Sequence, residues 1–530
     1  MKGKFLGILV LSAFLLGLPS IARGQTLTIL HSNDTHSALF PFGPQGTVGG
    51  IERMSALIKS LKAKNDHVLT LHAGDVFVGS FEFNEYLGYP ELQIMQKLYD
   101  AMELGNHEFD LGVDTLTGIL TGVIPGGPPI SLPILCANID LSSHPALGSI
   151  VKPYLIKNLG KFKIGLIGVL NTDAQNYSPE VAALLTDPYL AAGLQAATLR
   201  ALGCNIVICV SHLGQMYDVL GLSQVPGIDI IVGGHSHDAL KKPVLAGGKI
   251  IVQAGAYGMY LGELKVALNG STVVLQSYTL HRIDKTIPKD PKLAGTIAAL
   301  RNGIVHDPRF GNVLTARVAT ADRLMTDSWI PGNPYRDTPL GNLVADAIKT
   351  EVTNHGYSID MGLEVMGYTA FQLYKGKIVG NDILRCVPYG YDPTSGLDFK
   401  IDIIEIDGGT LLALLEYSVS IVEYADDLSL EPSGLTFTYD SSQPASTTLG
   451  VFSRIDPTSV MINGQPIDPT AHYKIALNEQ IYNTLVGLGV TPYSTTETGL
   501  FEYNLVHDFV QGLNHVDYQA EGRVIDTAIK

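Results

Sequence analysis

The chain has 530 residues, of which 46% are hydrophobic and 16% are charged, and its formal net charge is −16. That length exceeds what one hydrophobic core usually supports, so two domains are expected, and the composition excludes a disordered protein. The negative charge argues against nonspecific binding to nucleic acid or to anionic membranes.

The N-terminus has the pattern of a secretory signal peptide. Lys2 and Lys4 precede an apolar stretch over residues 5–18, and small residues precede Gln25. A membrane anchor is the alternative, but the stretch is shorter than the roughly 20 residues that a spanning helix needs. No later segment is apolar enough to span a bilayer. We therefore predict a signal peptide over residues 1–24, export to the periplasm or the extracellular space, and a mature chain without a transmembrane segment.

Residues 25–285 are predicted to form an α/β domain, because short apolar strands alternate with helical patterns. Strands are predicted at 27–30, 68–71, 101–104, 206–210 and 228–232. Helices are predicted at 51–63, 89–98 and 189–202, the last with Asp187 as its cap and Pro188 in its first turn. Residues 252–268 are predicted to form a hairpin that closes the domain.

The second half begins after a boundary region. Residues 286–316 form a turn-rich linker with a predicted helix at 292–305, and residues 317–530 are predicted to form an α+β domain. Its clearest helix covers 340–351, with Asp337 or Thr338 as the cap. A strand at 400–406 is followed by an apolar helix at 410–422.

Side chains that bind metals follow each of the five predicted strands. They are Asp34, His36, Asp75, Asn106, His212, His235 and His237. Because α/β sheets place ligands at the carboxyl ends of their strands, we expect these side chains to converge on one sheet edge. Together they supply enough nitrogen and oxygen donors for two divalent metals. A single histidine after a strand is more often an ordinary core or surface residue, so the prediction depends on five such positions in order.

His107 lies beside Asn106 and is predicted to be a general acid or base. Asp110, three residues later, would orient its ring. The alternative is a histidine at a helix start that is bonded locally. Glu108 is predicted to support the turn or the ligands by hydrogen bonding.

These motifs resemble those of the exported 5′-nucleotidase family, a branch of the calcineurin-like metallophosphoesterases. The matching segments are Asn33-Asp34-Thr35-His36, Gly74-Asp75, Gly105-Asn106-His107-Glu108-Phe109-Asp110, Ser211-His212 and Gly233-Gly234-His235-Ser236-His237. The resemblance implies a four-layer metallophosphoesterase sandwich domain, followed by a smaller α+β 5′-nucleotidase C-terminal domain.

The resemblance also implies a two-metal site and a reaction. One divalent ion (Zn, Mn, Fe or Co) would take Asp34, His36, Asp75 and His237, and the other would take Asp75, Asn106, His212 and His235. His107 with Asp110 would form the catalytic dyad. The implied reaction is hydrolysis of a phosphate monoester by a hydroxide that bridges the metals.

The second half departs from the family pattern where the substrate would be held. Where the family has Asn-Gly-Gly-Gly-Ile-Arg, residues 365–370 contain Tyr368 and no arginine. Where the family has an aromatic residue before Gly-Gly-Asp-Gly, the chain has Tyr482 without the glycine-rich segment. Arg336 matches one phosphate-facing arginine, and we predict Arg336, Tyr368 and Tyr482 as substrate contacts.

The predicted partner is therefore a small phosphate ester, with nucleoside monophosphates among the candidates. Two alternatives remain open. One is a related hydrolase that acts on a non-nucleotide phosphate or sulfate ester. The other, from a different class, is a non-catalytic binding protein of the cell envelope.

Overall fold

The computed structural model describes residues 26–172, 177–423, 426–446 and 451–529, and the predicted signal peptide lies outside them. The strands of the first half are β1 (Thr26–Ser32), β2 (Val68–His72), β3 (Ala101–Glu103), β4 (Ile134–Leu135), β5 (Val151–Lys152), β6 (Tyr154–Leu159), β7 (Phe162–Leu170), β8 (Ile206–His212), β9 (Ile230–Gly233), β10 (Val244–Ala246), β11 (Lys249–Gln253), β12 (Tyr260–Asn269) and β13 (Thr272–Arg282). Its helices are α1 (Ile51–Lys64), α2 (Phe81–Tyr86), α3 (Tyr89–Met95), α4 (Gly112–Thr121), α5 (Pro145–Ile150), α6 (Pro179–Ala182), α7 (Pro188–Ala201) and α8 (Gln215–Leu220).

Two sheets of the first half pack face to face. Their strand orders are β13-β12-β1-β2-β3-β4-β5 and β10-β11-β9-β8-β7-β6. Leu27 and Ile29 of β1 share a buried cluster with Ile208 of β8, so the facing surfaces form one apolar layer. Ile58 of α1 packs in the core on the outer side of the first sheet, and Ala196 of α7 packs on the second. This arrangement confirms the predicted four-layer α/β sandwich.

Local signals predicted the helices well. Helix α7 begins at Pro188, and the Asp187 carboxylate accepts a hydrogen bond from the Leu190 backbone at 2.8 Å, as expected of an N-cap. The predicted helix at 51–63 corresponds to α1. The predicted helix at 89–98 is shorter, since α3 ends at Met95.

The predicted hairpin at 252–268 is wrong. Strand β11 pairs in parallel with β9 in the second sheet, whereas β12 pairs with β1 in the first sheet. The hairpin instead joins β12 to β13, with Asn269 opposite Thr272. Two apolar strands that are adjacent in sequence therefore belong to different sheets, and the segment between them crosses the edge of the sandwich.

Helix α9 (Ala294–His306) precedes the second half. The strands of the second half are β14 (Ala319–Ala321), β15 (Met361–Val365), β16 (Gly376–Ile378), β17 (Lys400–Asp407), β18 (Leu430–Ser433), β19 (Leu435–Tyr439), β20 (Met461–Ile462), β21 (Gln465–Pro466), β22 (His472–Asn478), β23 (Ser494–Phe501), β24 (His515–Val516) and β25 (Val524–Asp526). Its helices are α10 (Pro339–Asn354), α11 (Gly380–Leu384), α12 (Gly408–Ser418), α13 (Glu479–Gly487) and α14 (Glu502–Leu513).

The second half has the predicted α+β character. A mixed sheet has the order β18-β15-β22-β17-β23, and smaller sheets have the orders β21-β20-β19-β25 and β16-β14-β24. Thr338 is the cap of α10, because its hydroxyl accepts a hydrogen bond from the Gly341 backbone at 2.9 Å. Asp337 instead accepts hydrogen bonds from the Glu521 and Gly522 backbones.

Contacts between the two halves fix the second half against α2, the helix that follows β2. The Phe81 backbone donates to the Asn381 side chain at 3.0 Å, and Arg385 pairs with Glu82 at 3.2 Å inside the protein. The Asn84 side chain donates to the Gly396 carbonyl at 2.8 Å. Among the described helices, none combines the length and apolar character needed to cross a membrane.

Candidate metal centre

The predicted ligand residues meet at one end of the sandwich in two groups. Asp34, His36 and His237 form one group, and Asp75, His212 and His235 form the other, with ligand atoms within 4.8 Å of one another in each. The expectation of one sheet edge is wrong, because Asp34 and Asp75 follow strands of the first sheet, whereas His212 and His235 come from strands of the second. The site therefore lies where the carboxyl ends of both sheets meet.

Turns, rather than extended strands, direct most of these side chains. Five of the ligand residues have a positive φ: Asp34 (49°), His36 (44°), Asp75 (55°), His235 (73°) and His237 (56°). A non-glycine residue in the left-handed region costs roughly 1–3 kcal/mol and persists where the surroundings enforce it. Such strain at the residues that carry the ligand atoms is typical of a functional site.

Glu108 holds two of the ligand loops together. Its buried carboxylate accepts backbone hydrogen bonds from Gly105 at 2.6 Å, Asp75 at 3.0 Å and Val76 at 2.7 Å. The Asp75 carboxylate in turn accepts a hydrogen bond from the His107 backbone at 3.0 Å. These hydrogen bonds hold the loop after β2 and the loop after β3 in one arrangement. They fix both the backbone and the carboxylate of Asp75.

The histidine nitrogens fit bound cations. His36 and His212 each donate from Nδ1 to a backbone carbonyl, so Nε2 of each ring carries the lone pair. Nε2 of His36 lies 3.1 Å from Nε2 of His237, and Nε2 of His212 lies 2.9 Å from Asp75 Oδ2. A lone pair on Nε2 that faces a carboxylate inside the protein is favourable when a cation lies between them. The residues present therefore fit divalent metal ions.

The side-chain oxygen of Asn106 accepts a hydrogen bond from Asn171 at 3.1 Å, and the same Asn171 amide lies 3.4 Å from Nδ1 of His235. Asn171 was not predicted, although it directly follows β7 and so shows the same signal as the predicted ligands. Tyr257 was also missed. Its ring lies 5.4 Å from that of His36 and 5.3 Å from that of His237, on the segment that crosses between the sheets.

His107 and Asp110 pair as the spacing suggested. His107 Nδ1 donates to Asp110 Oδ2 at 2.8 Å. Burial alone would lower the pKa of His107, but the Asp110 and Asp75 charges outweigh it and raise that pKa to about 9. Tyr389 of the second half stacks on the His107 ring, with centroids 5.0 Å apart and planes 13° apart. The structure thus adds an aromatic side chain that sequence reasoning did not assign to the site.

The three predicted substrate contacts lie in different surroundings. Tyr368 lies next to Tyr389, with ring centroids 6.1 Å apart. Arg336 stacks on Trp329 at 4.6 Å, and Tyr482 is half-buried against the apolar core of the second half. Of the three, Tyr368 is the one with a described link to His107, which runs through Tyr389.

Two family profiles match the chain. Calcineurin-like phosphoesterase matches residues 27–239, and the 5′-nucleotidase C-terminal domain matches residues 317–488. The chain belongs to the 5′-nucleotidase family. That family is one of metal-dependent phosphoesterases, in agreement with the ligand groups described above.

Relatives of similar length support this membership. A snake venom 5′-nucleotidase of Naja atra is 27% identical over 549 residues, which cover 95% of this chain and 99% of the relative. A 5′-nucleotidase of Bos taurus is 28% identical over 461 residues, which cover 80% and 77%.

Solved structures share the fold. A 5′-nucleotidase precursor from Thermus thermophilus superposes with a TM-score of 0.80 and 28% identity, covering 94% of this chain and 99% of that one. A sulfate thiohydrolase from the same organism superposes with a TM-score of 0.74 and 18% identity, covering 95% and 97%, which shows the shared fold alone.

Proposed function

We propose that this family member hydrolyses phosphate monoesters with the help of two divalent metal ions. The observation that carries the proposal is the pair of ligand groups, Asp34, His36 and His237 beside Asp75, His212 and His235, with a histidine–carboxylate pair next to them. Asn106 completes the set with a neutral oxygen ligand. Zn, Mn, Fe and Co are all compatible with these donors.

When bound, the metals would supply positive charge that attracts the phosphate and stabilises negative charge that develops in the reaction. A water oxygen forms a bond to phosphorus, and the ester P–O bond on the opposite side breaks. Because Nδ1 of His107 donates to Asp110, its Nε2 is the nitrogen that can deliver a proton to the leaving oxygen. The products are an alcohol and inorganic phosphate.

The proposed substrate is a small phosphate ester. Nucleoside monophosphates are among the candidates, which is supported by relatives that are named 5′-nucleotidases. The missing arginine at residues 365–370, together with Arg336 stacked on Trp329, favours an ester other than a nucleotide. We further propose domains at 25–285 and 317–530, joined by a linker at 286–316.

Hydrolysis of p-nitrophenyl phosphate by the purified protein loaded with Mn²⁺ or Zn²⁺ tests the proposal. We expect turnover that disappears when a chelator removes the metals and returns when they are added back. A parallel assay with p-nitrophenyl sulfate distinguishes a sulfatase. A protein that holds about two metals per chain and hydrolyses neither ester would instead be the non-catalytic binding protein.

We also propose export with removal of residues 1–24. The pattern of Lys2, Lys4 and the apolar stretch supports this proposal. Intact-mass measurement of the protein recovered from the periplasm or the medium should give a chain that starts at Gln25. A full-length chain retained in the cytoplasm would contradict it.

A further inference from the structure

One short loop supplies a residue to each of the two ligand groups. Residues 234–238 follow β9, and His235 belongs to the group of Asp75 while His237 belongs to the group of Asp34. The conformation of this loop therefore sets where the two groups lie relative to each other. Both histidines have a positive φ, 73° and 56°, a backbone conformation that costs roughly 1–3 kcal/mol at each residue and that the surroundings must enforce.

The side chain of Gln253 spans this loop from one end to the other. Its amide nitrogen donates to the Gly234 carbonyl at 2.8 Å, and its amide oxygen accepts a hydrogen bond from the Asp238 backbone. The first partner can only accept and the second can only donate, so one side chain that offers both a donor and an acceptor is needed. Gln253 is 1% exposed, and these hydrogen bonds are therefore shielded from competing water.

The pairing of β9 with β11 brings Gln253 to the loop. Gln253 lies opposite Gly233 in the parallel register of these two strands. A Cβ at Gly233 would lie 3.3 Å from the Gln253 amide nitrogen, which is closer than most Cβ contacts. Glycine at this position therefore leaves room for the Gln253 side chain at the end of β9.

The segment that begins at Gln253 is also tied to the loop of the ligand Asp34. The backbone N–H that follows Gln253 donates to the Asn33 side chain at 2.9 Å, and that side chain donates to the Gly255 carbonyl. The same Asn33 amide donates to the Asp34 carboxylate. Because Asp34 follows a strand of the first sheet and the loop after β9 follows a strand of the second, this segment joins the ligand loops of the two sheets.

We propose that Gln253 is a positioning residue for the two-metal centre and acts on His235 and His237 through the loop that carries them. Both of its amide atoms are engaged by backbone groups, so its role is to hold the ligand loop and not to bind the ions. Its hydrogen bonds keep the two histidines in the arrangement that lets one loop serve both ions. This inference rests on the proposed two-metal function and adds a residue outside the ligand set.

Gln253→Met removes both hydrogen bonds and keeps the length of the side chain. We expect the full chain to bind Mn²⁺ more weakly by roughly 10–100-fold, the usual effect of losing a group that orients a metal ligand, as measured by calorimetry. Electron paramagnetic resonance of the Mn²⁺-loaded protein should change from the signal of two coupled ions toward that of isolated ions. Unchanged Mn²⁺ affinity together with unchanged coupling in Gln253→Met would overturn the inference.

Asn342→Leu is the matched control. Asn342 is also a buried side-chain amide, and it donates to the Asp337 carboxylate at 2.7 Å and to the Gln519 carbonyl at 2.9 Å, both within the second half. Its substitution should lower the unfolding temperature while Mn²⁺ affinity and coupling stay unchanged. If Asn342→Leu weakens Mn²⁺ binding as much as Gln253→Met does, a general loss of stability explains both results and the positioning role fails.

Gln253→Asn covers the case in which Gln253→Met does not fold. The shorter amide can still bond one of its two backbone partners, which limits the cost of burying it, but it is too short to span the loop. We expect weaker Mn²⁺ binding and weaker coupling than in the unmodified chain. Full Mn²⁺ affinity and full coupling in Gln253→Asn would overturn the inference whatever the state of Gln253→Met.

The metal measurements separate this inference from the proposed function. If the unmodified chain binds two Mn²⁺ ions and hydrolyses no phosphate ester, the hydrolase proposal fails and weaker binding in Gln253→Met still supports the positioning role. If the unmodified chain hydrolyses p-nitrophenyl phosphate and Gln253→Met binds Mn²⁺ as the unmodified chain does, the inference fails and the proposed function stands.

Discussion

The Asp75 carboxylate connects a ligand histidine to the loop that follows β3. One carboxylate oxygen lies 2.9 Å from His212, and the other accepts the His107 backbone hydrogen bond. Asp75→Asn removes a negative charge that both ions would share, so metal content by elemental analysis should fall from about two per chain to about one or fewer. Asp66→Asn, at an exposed carboxylate before the start of β2, should keep the full content. Unchanged stoichiometry in Asp75→Asn would contradict the bridging assignment.

A substitution at His107 should affect the catalytic rate without affecting metal binding. Nδ1 of His107 is engaged by Asp110 and its ring stacks on Tyr389, and although the ring meets that of His36 edge to face with centroids 5.4 Å apart, His107 belongs to neither ligand group. His107→Asn is therefore expected to retain both metals while kcat falls by roughly 10²–10⁴, the usual contribution of a positioned acid–base group. Asp110→Asn should give a smaller loss of the same kind. Loss of metal in His107→Asn would mean that His107 is a ligand.

At the scale of elements, Gly105 sets the distance between the loop after β2 and the loop after β3. A Cβ at this position would lie 2.1 Å from Asp75 Oδ1. Gly105→Ala should therefore displace Asp75 and lower both metal content and kcat. Gly295→Ala, at a helical position with no atom within 4 Å of the added Cβ, is the control and should change neither. A fully loaded and active Gly105→Ala protein would show that the loops are less tightly fixed than the contacts indicate.

Asp290 fixes the linker to α1. Its buried carboxylate accepts hydrogen bonds from Ser55 at 2.7 Å and from Lys59. Burial would raise the pKa of Asp290, but these hydrogen bonds outweigh it and lower the pKa to about 2. Asp290→Asn should therefore cost about 1.5–3 kcal/mol of unfolding free energy at neutral pH, the usual value for hydrogen bonds to a charged group.

The difference in unfolding free energy between the unmodified chain and Asp290→Asn should depend on pH with a definite sign. The folded pKa lies below the unfolded value of roughly 3.9, so the stabilisation is present above that value and is lost as the pH falls toward 2. Urea unfolding should show the gap between Asp290→Asn and the unmodified chain narrowing as the pH falls from about 5. If the difference in unfolding free energy stays constant with pH, the lower stability of Asp290→Asn comes from packing and not from the charge of Asp290.

Sequence could predict the elements and ligands whose signals are local. Asp187 and Pro188 predict the start of α7, and each ligand follows a strand that is apolar in itself. The crossing between β11 and β12 was missed because it depends on which distant strand each of them pairs with. Tyr389 was missed for a similar reason, since only the packing of one half against the other brings it to His107.

At the scale of the whole molecule, the second half decides what is bound at the metals. The arginines that would grip a nucleotide phosphate are absent or engaged elsewhere, since Arg336 stacks on Trp329 and Arg385 pairs with Glu82. Tyr389 and Tyr368 present aromatic surfaces, and stacking of a base contributes roughly 1–3 kcal/mol in nucleic-acid binders. The loss of a bidentate arginine contact worth ~3 kcal/mol would cancel the stabilisation that stacking provides. A loss of that size lowers kcat/KM by more than about a hundredfold.

We therefore expect AMP to be hydrolysed with a kcat/KM comparable to, or below, that of p-nitrophenyl phosphate. Steady-state assays of the metal-loaded protein with both esters at the same pH and ionic strength measure this directly. Tyr368→Ala should lower kcat/KM for AMP more than for the aryl ester if base stacking is the main contact, since the aryl ring is smaller. A kcat/KM for AMP roughly a hundredfold above that of the aryl ester would contradict the expectation. The tyrosines would then form a nucleoside pocket that needs no arginine, and the second half would select nucleotides by stacking alone.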